Sequence, residues 1–177
     1  MSIYYAVASL PTLALDREPG VAPDAFVRLC VEQVGTAEGA IARDLLEAGE
    51  SAAEHAFARE WREREALLRN AIARARAARQ GRDPAPWLRE ARGVDVGIER
   101  RVADAFGRAT PEERERELDR IRWDLLDELA GLDPFTVRAL LAYALKLRLA
   151  RRWSGLDADR GAEQMESAVD ALARGAM

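Results

Sequence analysis

The chain has 177 residues, 49% of them hydrophobic and 33% charged, which suits one folded domain and is too apolar for a disordered chain. Its net charge of −4 lacks the basic excess of a nucleic-acid-binding domain. The single cysteine, Cys30, rules out a disulfide framework within the chain and points to a reducing compartment.

Ile3 to Ala8 (Ile-Tyr-Tyr-Ala-Val-Ala) is aromatic and β-branched, the one stretch with strand character. With no second strand in prospect, it is expected to be a short extended arm lying on helices. Leu10-Pro11 ends it, because a residue before proline avoids the α region. The apolar start has no basic segment before it, and Pro11 and Asp16 interrupt it, so it does not read as a signal peptide. No stretch approaches the ~20 apolar residues of a membrane span. The expected location is cytoplasmic, with membrane contact only through partners at the cytoplasmic membrane.

After a linker at Asp16 to Val21, Pro23 suits the first turn of a helix. Phe26, Val27, Cys30, Val31 and Val34 follow at helical spacing, and Gly35 suits a C-cap. Thr36 is placed to cap a second helix carrying Ile41, Leu45 and Leu46, closed by Gly49. Ser51 reads as the start of the longest helix, running to Gln80 before Gly81; residues 51–80 would span roughly 45 Å. Phe57, Trp61, Leu68 and Ile72 form its apolar stripe and the other faces are charged. Such a helix packs along one side and is free to project or meet a partner.

Trp87 and Leu88 suit a short helical turn. Val94, Ile98, Val102 and Phe106 recur every four residues, the pattern of an amphipathic helix. Thr110-Pro111-Glu112-Glu113 is a capping box with proline at the first helical position. Its helix carries Leu118, Ile121, Leu125 and Leu129 and ends at Gly131. Asp133-Pro134 starts the next helix by the same logic, apolar from Phe135 to Leu149 and read as the central core helix. A last amphipathic helix carries Met165, Val169 and Leu172. The expected fold is all-α, a single domain over residues 1–177: a bundle of about six to seven helices, one of them long, with an extended N-terminal arm.

Catalytic patterns are missing from the sequence. His55 is the only histidine, so Cys and His cannot assemble a zinc site, and it reads as an ordinary helix residue. Cys30 reads as a small core residue. There is no nucleophile elbow around any serine, no phosphate-binding glycine loop and no calcium loop, so no cofactor or metal is expected. The carboxylates around Glu112 to Glu117 alternate with arginines, as on a solvated helix face with i,i+4 pairs.

Two basic clusters remain. One holds Arg69, Arg74, Arg76, Arg79 and Arg82, with no acidic residue between Ala66 and Arg82. The other is Lys146, Arg148, Arg151 and Arg152 beside Trp153. Each has a structural reading, cations complementing the negative end of a helix dipole. Each also has a functional one, a surface that grips an acidic partner.

Three stretches carry a family resemblance. Tyr4-Tyr5-Ala6-Val7-Ala8-Ser9-Leu10-Pro11 resembles the opening of an uncharacterised bacterial family whose genes lie among those of a V-type (archaeal-type) ATPase. Trp61 to Arg79, with Leu68-Arg69-Asn70 and Arg74-Ala75-Arg76, resembles its long-helix motif. Asp133-Pro134-Phe135 to Trp153, with Leu141-Ala142-Tyr143-Ala144-Leu145-Lys146-Leu147, is similar to its C-terminal motif. That family is distantly similar to the helical C (d-type) subunit, which seats the rotor shaft on the membrane ring. The resemblance implies a non-catalytic stalk component, or an assembly or coupling factor, whose partners are other V-type ATPase subunits of the central stalk or membrane ring. Under it the candidate partner contacts are Arg69, Arg76, Arg79, Lys146, Arg148, Arg151 and Arg152. The rival is an all-helical chaperone for redox-enzyme maturation that holds an apolar signal peptide. An exposed apolar cleft would favour the chaperone, and an exposed basic face the ATPase role.

Overall fold

A computed structural model describes residues 2–155. They form seven α-helices and one short 3-10 turn, with no strand among the described residues. The expected all-α bundle is therefore the architecture found.

The first helix, α1 (Ile3–Ser9), replaces the expected extended arm. Ala6 is fully buried, and Ile3, Val7 and Leu10 pack around it against the core. Positions 3, 6, 7 and 10 share one face only in a helix. Tyr4 and Tyr5 point outward, each 63% exposed. Strand propensity loses here because no neighbouring strand offers a ladder, whereas α2 offers an apolar surface. Leu10 is extended before Pro11 as expected, and the Tyr143 hydroxyl donates to the Pro11 carbonyl at 2.9 Å.

Helix α2 (Pro23–Val34) has proline in its first turn and buries Phe26, Val27 and Cys30. Gly35 ends it at φ 115° and also begins α3 (Thr36–Ala48). Thr36 is thus the first helical residue, not the cap, and no side-chain cap bond forms there. The two helices touch closely at Gly39, where an added Cβ would lie 2.3 Å from Val31 Cγ2.

The long helix, α4 (Ala56–Gln80), starts five residues later than the sequence suggests. Ser51 is buried in the connection, its hydroxyl donating to Asp44 at 2.8 Å and accepting from the Ala53 N–H. That hydroxyl is therefore not free to cap a helix at residue 51. His55 takes the role, its Nδ1 accepting from the Phe57 N–H at 3.2 Å. The 25 residues of α4 span roughly 38 Å. The helix does not project. Buried residues run along it from Phe57 to Ala77, and it packs against α5 and α6.

The loop after α4 contains the 3-10 turn Ala85–Trp87. The Asn70 amide clamps it, donating to the Arg89 carbonyl at 2.9 Å and accepting from the Arg89 N–H at 2.7 Å. Helix α5 (Val96–Phe106) is capped by Asp95 and buries Ile98 and Val102; Val94 precedes it, exposed. Helix α6 (Pro111–Ala130) opens on the capping box read from the sequence, with both reciprocal bonds between Thr110 and Glu113 formed.

Helix α7 (Val137–Ser154) starts later than Asp133-Pro134 implied. The Asp133 carboxylate accepts from the Phe135 N–H in a local turn, and Thr136 caps the helix by accepting from Ala139 N–H at 3.1 Å. Phe135 therefore precedes the core helix, and its ring packs 4.6 Å from that of Tyr4. Within α7, Leu140, Leu141, Ala144, Leu145 and Leu147 are buried against α2, α3 and α6, so it is the central core helix, as expected. The helix assigned to Met165, Val169 and Leu172 lies outside the described residues.

Candidate functional site: an arginine-lined cleft

Three helical stripes and one helix end meet on a single concave face. On α4, Trp61, Glu65, Arg69 and Arg76 follow at spacings of four, four and seven, so they share a face. On α6 the matching residues are Glu115, Asp119 and Arg122, at spacings of four and three. On α7 they are Arg148, Arg151 and Arg152. The C-terminal end of α3, from Leu46 to Gly49, closes the fourth side.

The floor is a buried ionic network. Asp119 is fully buried and accepts three bonds, each 2.9 Å long: from Arg122 Nη1, Arg152 Nη1 and the indole N–H of Trp153. Glu65, only 11% exposed at its side chain, accepts from Arg69 Nε at 2.7 Å and from Arg122 Nε at 3.1 Å. Arg122 thus bridges α6 to α4, and Arg152 ties α7 to α6. Buried carboxylates persist only when paired and hydrogen-bonded, and both of these are. Burial opposes the Arg122 charge and is the largest single influence on it. The Glu65 carboxylate, and then that of Asp119, together outweigh burial and hold its pKa above the ordinary guanidinium value.

Above this floor lie two adjoining hollows of about 710 Å³ and about 480 Å³, with Arg69 and Arg122 in both walls. The larger is also lined by Arg148, Arg151 and Arg152, the smaller by Arg76 and Trp87 with apolar Ile72 and Leu118. Arg148 Nη1 donates to the carbonyls of Leu46, at 3.2 Å, and Glu47. It therefore satisfies the negative end of α3. Gly49 turns the chain there at φ 81°, its carbonyl accepting the Trp61 indole N–H at 2.9 Å. A side chain on Gly49 would meet Arg148 Nε at 3.1 Å. Arg76 and Arg151 form no ion pair among the described residues.

Five of the seven residues singled out from the sequence, Arg69, Arg76, Arg148, Arg151 and Arg152, therefore converge on one cleft. The other two do not line it. Lys146 is 14% exposed, paired with Asp127 and lying 4.9 Å over the Trp123 ring. Arg79 donates to the Phe106 carbonyl at 3.0 Å, which ties α4 to the end of α5. Glu65, Asp119 and Arg122 complete the site and did not stand out in the sequence, whereas Trp153, noted beside the second basic cluster, supports it through Asp119. Glu65 carried a signal, because it sits inside the apolar stripe between Trp61 and Leu68 where a solvated carboxylate does not belong.

No helix among the described residues is long and apolar enough to cross a membrane. No curated protein and no solved structure matches the chain. The sequence profile of one family, described as Protein of unknown function (DUF2764), matches residues 32–176. That match takes in the long-helix and C-terminal stretches, and it begins after the opening Tyr4 to Pro11 stretch. The match covers most of the chain, and the protein belongs to the family described as Protein of unknown function (DUF2764).

Proposed function

We propose that this protein is a non-catalytic helical component of a bacterial V-type ATPase, either a subunit or an assembly and coupling factor. In this reading it holds an acidic surface of the central stalk or membrane ring in its arginine-lined cleft. The observation that carries the reading is the convergence of Arg69, Arg76, Arg148, Arg151 and Arg152 on one concave face. Arginine suits such a task because its planar fork of donors grips carboxylates in pairs and keeps its charge at any working pH. The underlying network of Glu65, Asp119 and Arg122 fixes three helices relative to one another, so the face is pre-organised and loses little entropy on docking. The three stretches that resemble the ATPase-associated family supply the choice of partner. A chaperone for apolar signal peptides fits less well, because arginines stand in the walls of both hollows of the cleft.

Affinity capture of the tagged full chain from detergent-solubilised native membranes, read by mass spectrometry, tests this. Enrichment of central-stalk or membrane-ring subunits is the expected result. Capture of redox-enzyme precursors without any ATPase subunit would overturn it.

A further inference from the structure

Arginines outnumber carboxylates among the residues that line the cleft, Arg69, Arg76, Arg122, Arg148, Arg151 and Arg152 against Glu47, Glu65, Glu115 and Asp119. Asp119 already accepts three bonds, and Glu65 is engaged by Arg69 and Arg122. Arg69 uses only Nε in its bond to Glu65, and Arg148 uses only Nη1 on backbone carbonyls. Arg151 and Arg76 have no ion-pair partner among the described residues, and both are exposed. Four guanidinium groups therefore keep unused N–H edges around two adjoining hollows of about 710 Å³ and about 480 Å³. A hollow of several hundred Å³ is also the size of a small-molecule site.

The two hollows differ in chemistry. The larger offers the unused edges of Arg69, Arg148 and Arg151, with Arg152 spent on Asp119 and Glu115 and with Glu47 also in the wall, a set fitted to a multiply charged oxyanion. The smaller offers the indole of Trp87, 53% exposed, with Ile72, Ala73 and Leu118, and Arg76 at its edge. An exposed indole beside an arginine is a stacking surface for a planar ring. The Asn70 clamp on Arg89 holds the loop that carries Trp87.

We propose that this cleft binds a nucleoside polyphosphate, with its phosphates among Arg69, Arg148 and Arg151 and its base against Trp87. The ligand would compete with any acidic partner for the same arginines. The inference stands apart from the ATPase reading, because it concerns the isolated chain.

Isothermal titration of the purified full chain at low salt with ADP, pyrophosphate and adenosine tests it. The expected order is ADP tightest, pyrophosphate weaker, and adenosine without measurable binding. Arg151→Glu, which breaks no side-chain hydrogen bond or ion pair among the described residues, should weaken ADP by about tenfold or more, the loss of one charge-assisted contact. Trp87→Ala should weaken ADP severalfold and leave pyrophosphate unchanged. Circular dichroism of each variant checks that it is folded. No saturable binding of ADP at millimolar concentration would overturn the proposal. So would ADP binding that is indifferent to Arg151→Glu. Equal affinity for ADP and pyrophosphate, with Trp87→Ala silent, would overturn the assignment of the base to Trp87.

Discussion

The Trp153 indole donates its N–H to the fully buried carboxylate of Asp119 at 2.9 Å. This single bond fixes where α7 ends relative to α6, and so where Arg148, Arg151 and Arg152 stand. Arg152 reaches the same carboxylate at 2.9 Å, its guanidinium 5.7 Å from the Trp153 ring centre. Trp153 also lies under Arg116, at 5.0 Å. The end of α7 is thus held by a carboxylate, an indole and two guanidinium groups, and the exposed arginines beside it inherit that order.

Replacing Asp119 with Ala should therefore be costly. It leaves the Trp153 N–H and one edge each of Arg122 and Arg152 without acceptors. Breaking a buried pair by removing one partner costs about 3–5 kcal/mol when the other is fully buried. Arg152 is about half exposed, so about 3 kcal/mol is expected from urea unfolding. Asp119→Asn keeps the shape and one acceptor oxygen and should cost less.

Gly39 is a second fixed point. Its contact with Val31 leaves no room for a methyl group, so Gly39→Ala must separate α2 from α3 or force Val31 from its rotamer. Overpacking of this kind costs about 1–3 kcal/mol. Pairing the change with Val31→Ala opens the space and should recover part of the loss. Thermal melts of the two variants provide the check.

Cys30 should be silent toward thiol reagents in the folded protein. Burial pushes its pKa from 9.0 up to about 12, and the thiolate is the reactive form. Labelling with an aromatic disulfide at pH 8 should wait for unfolding. The same shift sets a sign for stability. The unfolded chain loses the thiol proton above about pH 9, whereas the folded chain keeps it until about pH 12. The stabilisation is complete below pH 9 and declines as pH rises through that window. Tyr143, raised by burial from 10.0 to about 12, adds to the same alkaline loss. Cys30→Ala should flatten its first part.

Glu60 acts at the acid end. A side-chain hydrogen bond from Arg138, at 2.7 Å, holds its carboxyl below the usual glutamate range. A lowered carboxyl stabilises the fold above its unfolded pKa and loses that contribution as pH falls through the folded value. Glu60 is 46% exposed, so solvent screening keeps the effect to about 0.5 kcal/mol. Glu60→Gln should show a slightly shallower acid limb in pH-dependent unfolding and little change elsewhere.

Much of the bundle is legible in the residues. The Thr110 capping box, the proline start of α2, the four-residue spacing of Ile98, Val102 and Phe106, and the apolar girth of α7 each carry their own local physics. The errors share a cause, a contact that the residue's own propensity or capping pattern does not reveal. Ile3 to Ser9 is helical because α2 accepts the face with Ala6 and Val7. Ser51 does not open α4 because Asp44 takes its hydroxyl. Asp133 closes on Phe135 instead of capping α7. The cleft was half visible for the same reason. Its exposed arginines stand out as unbalanced charge, but Asp119 and Arg122 look like one more surface pair, since Arg122 also sits three residues from Asp119 on its own helix. Only packing α4 and α7 against α6 turns that pair into the floor of a site.

In the function proposed above, the arginine cleft is the surface through which the protein meets its partner. The most direct measurement is quantitative capture from native membranes with Arg76→Glu plus Arg151→Glu, set against Arg28→Glu plus Arg100→Glu. Both pairs make the same change in charge, and none of the four residues forms an ion pair or side-chain hydrogen bond among the described residues. A gripping cleft predicts that the first pair loses the ATPase subunits and the second keeps them. Equal recovery by both pairs would contradict it.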